Sequence, residues 1–399
     1  MSLIALAIAT LIPLLVLVVI RALDLYQTGA FRIVLLCLAW GGIAYAGPYF
    51  INRFVYFRGL VDIEDLPRYF APVAEEILKA LILIYLVRRT SFTYFVDGAI
   101  YGFAVGIGFA VFENYEYILQ NPYAGLGTAI ARVLSANLMH ASASSLVGVT
   151  LGLARFRRTA GHFGLLLGGL LLAMALHSLF NNLTTRPEIP GPVLVYSTVI
   201  GLGGVGAVAA VIFRGLAEEK AWIAEKLGMA DRVTAQEVKV VQRLEDIQEV
   251  LAPLKKHFGE AKAEQIEKFL FAQARLGILR KTLEKLPDER MRQAVEAQMS
   301  DMRLEMEKTR RLVGSYCMAS VRLLFPPETS PFLNRLQATM QARANSGQSS
   351  GDTAAQWQRM EDLFKVSSSP QSAATASAGW MSSLSQRAVK TSTSTKEKP

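Results

Sequence analysis

Residues 3–22 read LIALAIATLIPLLVLVVIRA, a run of twenty residues in which only Thr10 and Arg21 are polar. A hydrocarbon core about 30 Å thick is crossed by roughly 20 apolar residues in a helix, so this run predicts a membrane span. Because no basic segment precedes it, we interpret it as a retained span rather than a cleaved signal. The stretch places the chain among the integral membrane proteins.

Six further stretches of the 399-residue chain are of similar length and nearly as apolar. They cover approximately residues 31–51, 69–88, 94–118, 126–153, 163–184 and 191–213. In lipid every backbone polar group has to be satisfied internally, and these segments are too long for strands. The sequence therefore predicts an all-α fold, a polytopic transmembrane helical bundle of about seven spans.

The composition changes twice along the chain and predicts three regions. Residues 1–213 hold the apolar spans. Residues 214–345 place apolar residues three and four apart among charged ones, which indicates a cytosolic helical or coiled-coil region. Residues 346–399 are rich in Ser, Thr, Ala and Gln and are expected to be a disordered, low-complexity tail.

The formal net charge of +9 is explained by basic residues near the span ends, and no nucleic-acid motif stands out, so nucleic acid is not an expected partner. The expected partners are the lipid bilayer and, through the helical region after residue 213, a cytosolic protein. Two isolated cysteines provide neither a disulfide framework nor a metal pair.

Lys and Arg residues near the span ends predict the orientation of the chain, because cytoplasmic loops carry an excess of both. One set of loops carries Arg21, Arg32, Arg88, Arg89, Arg155, Arg157, Arg158, Arg214 and Lys220. The other set carries Arg53, Arg58, Arg68 and Arg186, and the first three are offset by Asp62, Glu64 and Asp65. We therefore expect a cell-membrane protein with an extracytoplasmic N-terminus and a cytoplasmic tail.

Ionisable side chains occur inside four of the predicted spans. The third span, APVAEEILKALILIYL, contains Glu75, Glu76 and Lys79; the fourth contains Glu113 and Glu116; the fifth contains His140; the sixth contains His177 and Asn181. An ionisable group at mid-membrane costs about 2.5–3.5 kcal/mol even on lenient insertion scales. These side chains are therefore expected to face one interior cavity.

Their spacing supports one polar stripe per helix. Lys79 lies three and four residues after the two glutamates, and His177 lies one turn before Asn181. Hydrolysis of a peptide bond needs a base for water, a donor for the oxyanion and a proton for the leaving amine. Adjacent carboxylates, histidines and an asparagine are sufficient for this chemistry, although they are not unique to it.

The same residues carry a family resemblance. EEILK, FAVFE, the helix of His140 and HSLFN resemble, in order, four motifs of the PrsW family of intramembrane peptidases, which is related to the CAAX prenyl endopeptidases and the bacteriocin-immunity membrane proteins. The resemblance covers roughly residues 30–213 and implies a peptidase in which Glu75 or Glu76 activates water with the help of His140 or Glu113. It further implies that His177 and Asn181 bind the oxyanion, with Lys79 in a supporting role.

The reaction implied is endopeptidase cleavage of a membrane protein, of which an anti-sigma-factor-like single-pass protein is one candidate, in a signalling or processing step. The predicted orientation places the cut near the extracytoplasmic membrane boundary. Zinc is left open: if an ion is bound, the candidate ligands are Glu75, Glu76, His140 and His177. Because no HExxH motif is present, the spacing favours a metal-free reaction with Glu-activated water.

Two other functions use the same residues. In a proton- or ion-coupled transporter, Glu, Lys and His would form a relay across the membrane. In a non-catalytic scaffold the protease-like fold would be kept without the reaction. The sequence contains neither the GxSG of rhomboid proteases nor a GxGD motif, which disfavours those two classes of intramembrane protease.

Overall fold

We describe the fold from a computed structural model of the chain. The structure describes residues 3–321, apart from residues 27, 121–122, 158, 186–189, 229–232, 245–246, 316 and 319–320. Every regular element in this part of the chain is helical, which confirms the predicted all-α class. The predicted disordered tail, residues 346–399, lies outside the described residues.

Twelve α-helices follow one another along the described residues. They are α1 (Leu3–Ala22), α2 (Phe31–Phe57), α3 (Ala71–Leu86), α4 (Phe95–Gln120), α5 (Gly125–Leu134), α6 (Ala136–Ala154), α7 (Thr159–Thr184), α8 (Pro190–Lys226), α9 (Ala235–Val241), α10 (Ile247–Phe258), α11 (Glu260–Lys285) and α12 (Glu289–Val313). A π-helical turn, Leu66–Phe70, runs directly into α3.

Within the described residues, five helices are long and apolar enough to cross a membrane, namely α1, α2, α4 and most of α7 and α8. The chain is therefore a multi-pass membrane protein, as predicted. The other two predicted spans differ: the third contains α3, which has only 16 residues, and the fifth is divided between α5 and α6. Both α3 and α6 pack among neighbouring helices, so their polar residues can be sheltered from lipid.

Helix α4 lies at the centre of the bundle and is buried along most of its length, with α6 on one side and α2 on another. Close approach depends on glycine. A Cβ atom on Gly98 would lie 2.1 Å from the carbonyl oxygen of Gly148, and one on Gly102 would lie 2.2 Å from that of Ser144. Between these contacts, Ser145 Oγ donates a 2.9 Å hydrogen bond to the Ala99 carbonyl. The small residues set a short α4–α6 distance that larger side chains would prevent.

The break between α5 and α6 occurs at Ser135, whose backbone leaves the helical region (φ −129°, ψ −78°). Its hydroxyl donates to the Ala131 carbonyl at 2.6 Å, which satisfies an acceptor left open by the break. Because of the break, α5 packs mainly against α1, whereas α6 packs mainly against α4. His140 consequently lies in the second turn of a helix and not halfway along a continuous span.

Helix α8 continues without interruption beyond residue 213, the predicted boundary of the membrane region, and ends at Lys226. Four helices, α9 to α12, follow it in the described part of the chain, and α11 packs against the extension of α8. Lys281 Nζ lies 2.7 Å from Glu225, and Lys285 Nζ lies 4.0 Å from the ring centroid of Trp222. The predicted boundaries at 213 and 345 stay predictions.

Candidate active site

Helix α3 brings three charged side chains into the bundle. The π-helical turn and Pro72 in the first turn of α3 start the helix, and Trp40 Nε1 of α2 donates to the Leu78 carbonyl at 3.1 Å. With this orientation Glu75, Glu76 and Lys79 are all buried, as the single polar stripe of the sequence predicted.

Lys79 is the centre of the site, with 1% of its surface exposed. Its ammonium donates to Glu76 Oε1 at 2.8 Å and to His140 Nδ1 at 2.9 Å. It also lies 3.6 Å from Glu75 Oε2 and 3.8 Å from the centroid of the Phe109 ring. A cation over an aromatic face is favourable, and a buried ammonium needs such partners because it is removed from water.

His177 is held in one tautomer by Glu76. In the neutral ring, Nδ1–H donates to Glu76 Oε1 at 3.0 Å and Nε2 carries the lone pair. This lone pair lies 3.8 Å from Glu75 Oε2, an oxygen that accepts no hydrogen bond from any described side chain. Two acceptor atoms thus face each other across a gap that a water molecule can bridge by donating to both.

His140 is held in the opposite tautomer. Its Nε2–H donates to Glu113 Oε2 at 2.8 Å, and its Nδ1 accepts the hydrogen bond from Lys79. The rings of His140 and His177 meet edge to face with their centroids 4.7 Å apart. The structure therefore brings together Glu75, Glu76, Lys79, Glu113, His140 and His177, six of the seven residues to which the family resemblance gives a role.

Asn181, the seventh, points elsewhere. Its Nδ2 donates to the carbonyl of Pro67 at 2.8 Å, in the π-helical turn that precedes α3. Tyr69 and Arg68 of the same turn bond to Asn182 and Thr185 at the end of α7. The amide thus helps to hold the start of α3, and oxyanion binding by Asn181 stays a prediction that would require this bond to break.

Glu116 lies apart from the cluster. It accepts hydrogen bonds from the hydroxyl of Tyr45 and from Gln120, and Arg53 approaches it at 4.0 Å. These partners belong to the end of the bundle, with an arginine that is half exposed.

Two polar residues of the site were not among the candidates found in the sequence. Arg132 Nη2 donates to Glu113 Oε2 at 2.6 Å, and Arg132 Nε donates to Asn114 Oδ1 at 2.8 Å. Arg132 could have been found in the sequence, since burying a lone arginine in a predicted membrane span costs as much free energy as burying the glutamates that were singled out.

Three side chains have the spacing of a metal site. One ligand atom each from Glu75, His140 and His177 can be chosen so that all lie within 4.8 Å of one another, and all three residues are buried. Glu76, the fourth ligand suggested by the sequence, is instead bonded to Lys79 and His177.

Comparison with known proteins confirms the resemblance seen in the motifs. Residues 29–213 match the family described as PrsW family intramembrane metalloprotease. This segment contains α2 to α7, most of the membrane part of α8 and every residue of the site.

Two relatives carry the name Protease PrsW. The protein of Geobacillus kaustophilus (strain HTA426) is 33% identical over 128 residues, which are 30% of this chain and 55% of that protein. The protein of Halalkalibacterium halodurans is 32% identical over 108 residues, 27% of this chain and 48% of that protein. The chain thus spans about half the length of the curated relatives it matches, and no solved structure matches it.

A lysine variant tests whether Lys79 holds the site together. Replacing Lys79 by Met leaves Glu76 buried without its cation, and breaking a buried ion pair in this way costs about 3–5 kcal/mol. We therefore expect Lys79→Met to lower the unfolding temperature in detergent, and the double variant Lys79→Met/Glu76→Gln to recover part of the loss.

Lys281→Met is the matched control, because it removes a partly exposed ion pair with Glu225 outside the membrane part of the bundle, and it should unfold at the wild-type temperature. A double variant less stable than Lys79→Met alone would contradict the central role of the Lys79–Glu76 pair.

Proposed function

From the match of residues 29–213 to the PrsW family, we propose that this protein is an intramembrane endopeptidase that hydrolyses a peptide bond with water activated by Glu75. The observation that carries the proposal is the gap between Glu75 Oε2 and His177 Nε2. These two buried acceptors face each other at 3.8 Å, and each is held by a neighbour on α3.

The two glutamates have different roles in this reaction. Glu76 is fully buried, bonded to Lys79 and His177, and therefore orients the site. Each glutamate has one buried oxygen without a described hydrogen-bond partner, but Glu75 retains 8% exposure and its Oε2 lies opposite His177 Nε2, so we assign Glu75 as the acceptor of a proton from water. A positioned general base of this kind contributes about 10²–10⁴-fold to a rate.

The charges of the site favour the same assignment. Three carboxylates, Glu75, Glu76 and Glu113, are accompanied by two permanent cations, Lys79 and Arg132. Lys79 is closest to Glu76, and Arg132 is paired with Glu113. Glu75 is left as the carboxylate without a close cation of its own, so it is the one we assign to bind water.

Hydrolysis of the peptide bond would then proceed in two steps, attack by water and cleavage of the C–N bond. Water bound between Glu75 and His177 attacks the carbonyl carbon, and its proton passes to Glu75 Oε2 as the C–O bond forms. The ammonium of Lys79 is close enough to stabilise the developing negative charge inside a site of low dielectric. Protonated Glu75 donates to the amide nitrogen as the C–N bond breaks, giving an amine and a carboxylic acid, and the acid then releases its proton to water.

The described side chains do not fit a catalytic zinc ion as they stand, although the family is described as metalloproteases. Such a site uses three protein ligands. In the triad whose ligand atoms lie within 4.8 Å of one another, Glu75 and His177 have unbonded atoms, but both nitrogens of His140 are engaged, Nδ1 by Lys79 and Nε2 by Glu113. The Lys79 ammonium, 3.6 Å from Glu75 Oε2, also supplies a positive charge at the place where the ion would bind.

The proposed substrate is a membrane protein with a single span, and an anti-sigma-factor-like protein is one candidate. Glu75 lies four residues, about 6 Å, inside the first residue of α3, and His140 lies equally far inside α6. The site is thus shallow and near one end of the bundle. With the orientation inferred from the basic loops, that end is extracytoplasmic, where water is available for hydrolysis.

Replacing Glu75 tests the assignment of the base. We expect Glu75→Gln to lower the cleavage rate of a reconstituted single-pass substrate by at least about 10²–10³-fold, because the amide cannot accept the proton of water. The unfolding temperature should stay near the wild-type value, since Glu75 makes no hydrogen bond through its Oε2 atom to a described side chain.

Glu116→Gln is the matched control for this experiment, because Glu116 is also a glutamate at the same end of the bundle but bonds to Tyr45 and Gln120. It should cleave at the wild-type rate. Full activity of Glu75→Gln would refute the assignment.

Removal of metal tests whether the proposed cleavage proceeds without a bound metal ion. We expect cleavage to persist after exhaustive chelation, because Lys79 already supplies the positive charge of the site. The measurement is the zinc content of the purified protein, together with the cleavage rate before and after treatment. One zinc per chain, with activity lost on its removal and regained on its return, would overturn the metal-free reaction.

Mapping the cut tests the orientation of the site. Mass spectrometry of the products should place the scissile bond near the extracytoplasmic boundary of the substrate's span, because Glu75, His140 and His177 lie close to that end of their helices. The Glu75→Gln variant incubated with the same substrate identifies any background cleavage. A cut at the cytoplasmic boundary would contradict the orientation.

A further inference from the structure

We propose that Arg132 is a positioning residue of this site, which fixes His140 by holding the Glu113 carboxylate. The inference rests on the proposed peptidase function and adds to it a residue that lies on a different helix from every other member of the cluster. Its basis is the geometry of one side chain that links the end of α5 to the last two turns of α4.

Arg132 contacts three residues of α4 that lie within about one turn of each other. Its Nη2 donates to Glu113 at 2.6 Å, its Nε donates to Asn114 at 2.8 Å, and its guanidinium carbon lies 3.8 Å from the centroid of the Tyr117 ring. The planar guanidinium satisfies all three contacts at once, which the single ammonium of a lysine cannot do. Its side chain is 15% exposed, so these contacts compete little with water.

The break at Ser135 explains how this contact is possible. Arg132 lies in the last turn of α5, just before the chain leaves helical geometry, and α5 packs against both α1 and α4. A continuous helix through residue 135 would place Arg132 two turns before His140 on a single axis. The break lets the two residues approach Glu113 from separate helices.

Glu113 connects Arg132 to the catalytic cluster, because its carboxylate bonds to both Arg132 and His140. The same oxygen, Oε2, accepts from Arg132 Nη2 and from His140 Nε2, so the position of the carboxylate determines which nitrogen of His140 carries the proton. With Nε2 protonated, Nδ1 is available to Lys79, which in turn bonds to Glu76. Removing the guanidinium frees Glu113 to rotate and removes the constraint on the His140 ring.

Three variants in the full-length chain separate positioning from simple support of the fold. The probe is a synthetic single-span peptide with a leucine-rich membrane segment and a fluorophore and quencher on either side of its extracytoplasmic boundary. Arg132→Met should lower kcat about 10–100-fold with little change in KM, the usual size of an outer-shell effect. Arg132→Lys, which keeps the charge, should retain a rate between those of Arg132→Met and the wild type.

The double variant Arg132→Met/Glu113→Gln tests whether the two residues act through one path. If Arg132 acts through Glu113, the double variant should be no slower than the slower single variant. The effects of two substitutions on the rate do not add when both residues act through the same chain of hydrogen bonds. Losses that multiply would refute that path. Arg53→Met is the matched control at the same end of the bundle, with a half-exposed side chain, and should keep wild-type kinetics.

A second readout does not depend on cleavage. The chain has four histidines, so selective ¹⁵N-histidine labelling gives few signals, and His140→Gln identifies the one of interest. We expect His140 to be protonated at Nε2 in the wild type and to lose this preference in Arg132→Met. An unchanged His140 signal in that variant would overturn the inference even if the protein cleaves. A wild-type protein that cleaves nothing, with the expected shift in the His140 signal, would instead count against the peptidase function.

Discussion

Burial of the Lys79 ammonium is the constraint on which the rest of the site depends. An unpaired cation in a membrane interior is strongly unfavourable, so each of its neighbours has to offer negative charge, a lone pair or an aromatic face. Glu76, His140 and Phe109 do so within 3.8 Å, and these residues belong to α3, α6 and α4. The need to satisfy one charge thereby draws three helices to a common point.

The different roles of the adjacent residues Glu75 and Glu76 follow from this constraint. Neighbouring residues on a helix differ by about 100° in direction, so only one of them can point fully at the interior. Glu76 does so and binds Lys79 and His177 through its Oε1, whereas Glu75 retains some exposure and makes no hydrogen bond to a described side chain through its Oε2. An adjacent pair thus provides both a fixed orienting group and a group free to exchange a proton.

Much of this arrangement could be predicted from the sequence, because the cost of a charge in lipid depends on residue type and depth alone. That argument located the helices of Glu75, Glu113, His140 and His177 and required them to converge. It could not detect the break at Ser135, since the apolar pattern runs through it, and so His140 was placed in one continuous span. Nor could it find the partner of Asn181, because a backbone carbonyl such as that of Pro67 leaves no trace in residue type.

Precision in the site ultimately depends on the glycines of α4, which lie outside it. Glu113 and His140 face each other across the α4–α6 contact, and a shift of about 1 Å in a positioned group can cost 10²-fold in rate. The contacts of Gly98 with Gly148 and of Gly102 with Ser144 bring backbone against backbone. Backbone contacts have no rotamers through which to relax, so they fix the spacing of the two helices more firmly than side-chain packing would. Gly106 continues this contact beside the site, since a Cβ atom there would lie 2.4 Å from the His140 carbonyl oxygen. The glycines of α4 therefore set the distance at which the 2.8 Å bond between His140 and Glu113 forms.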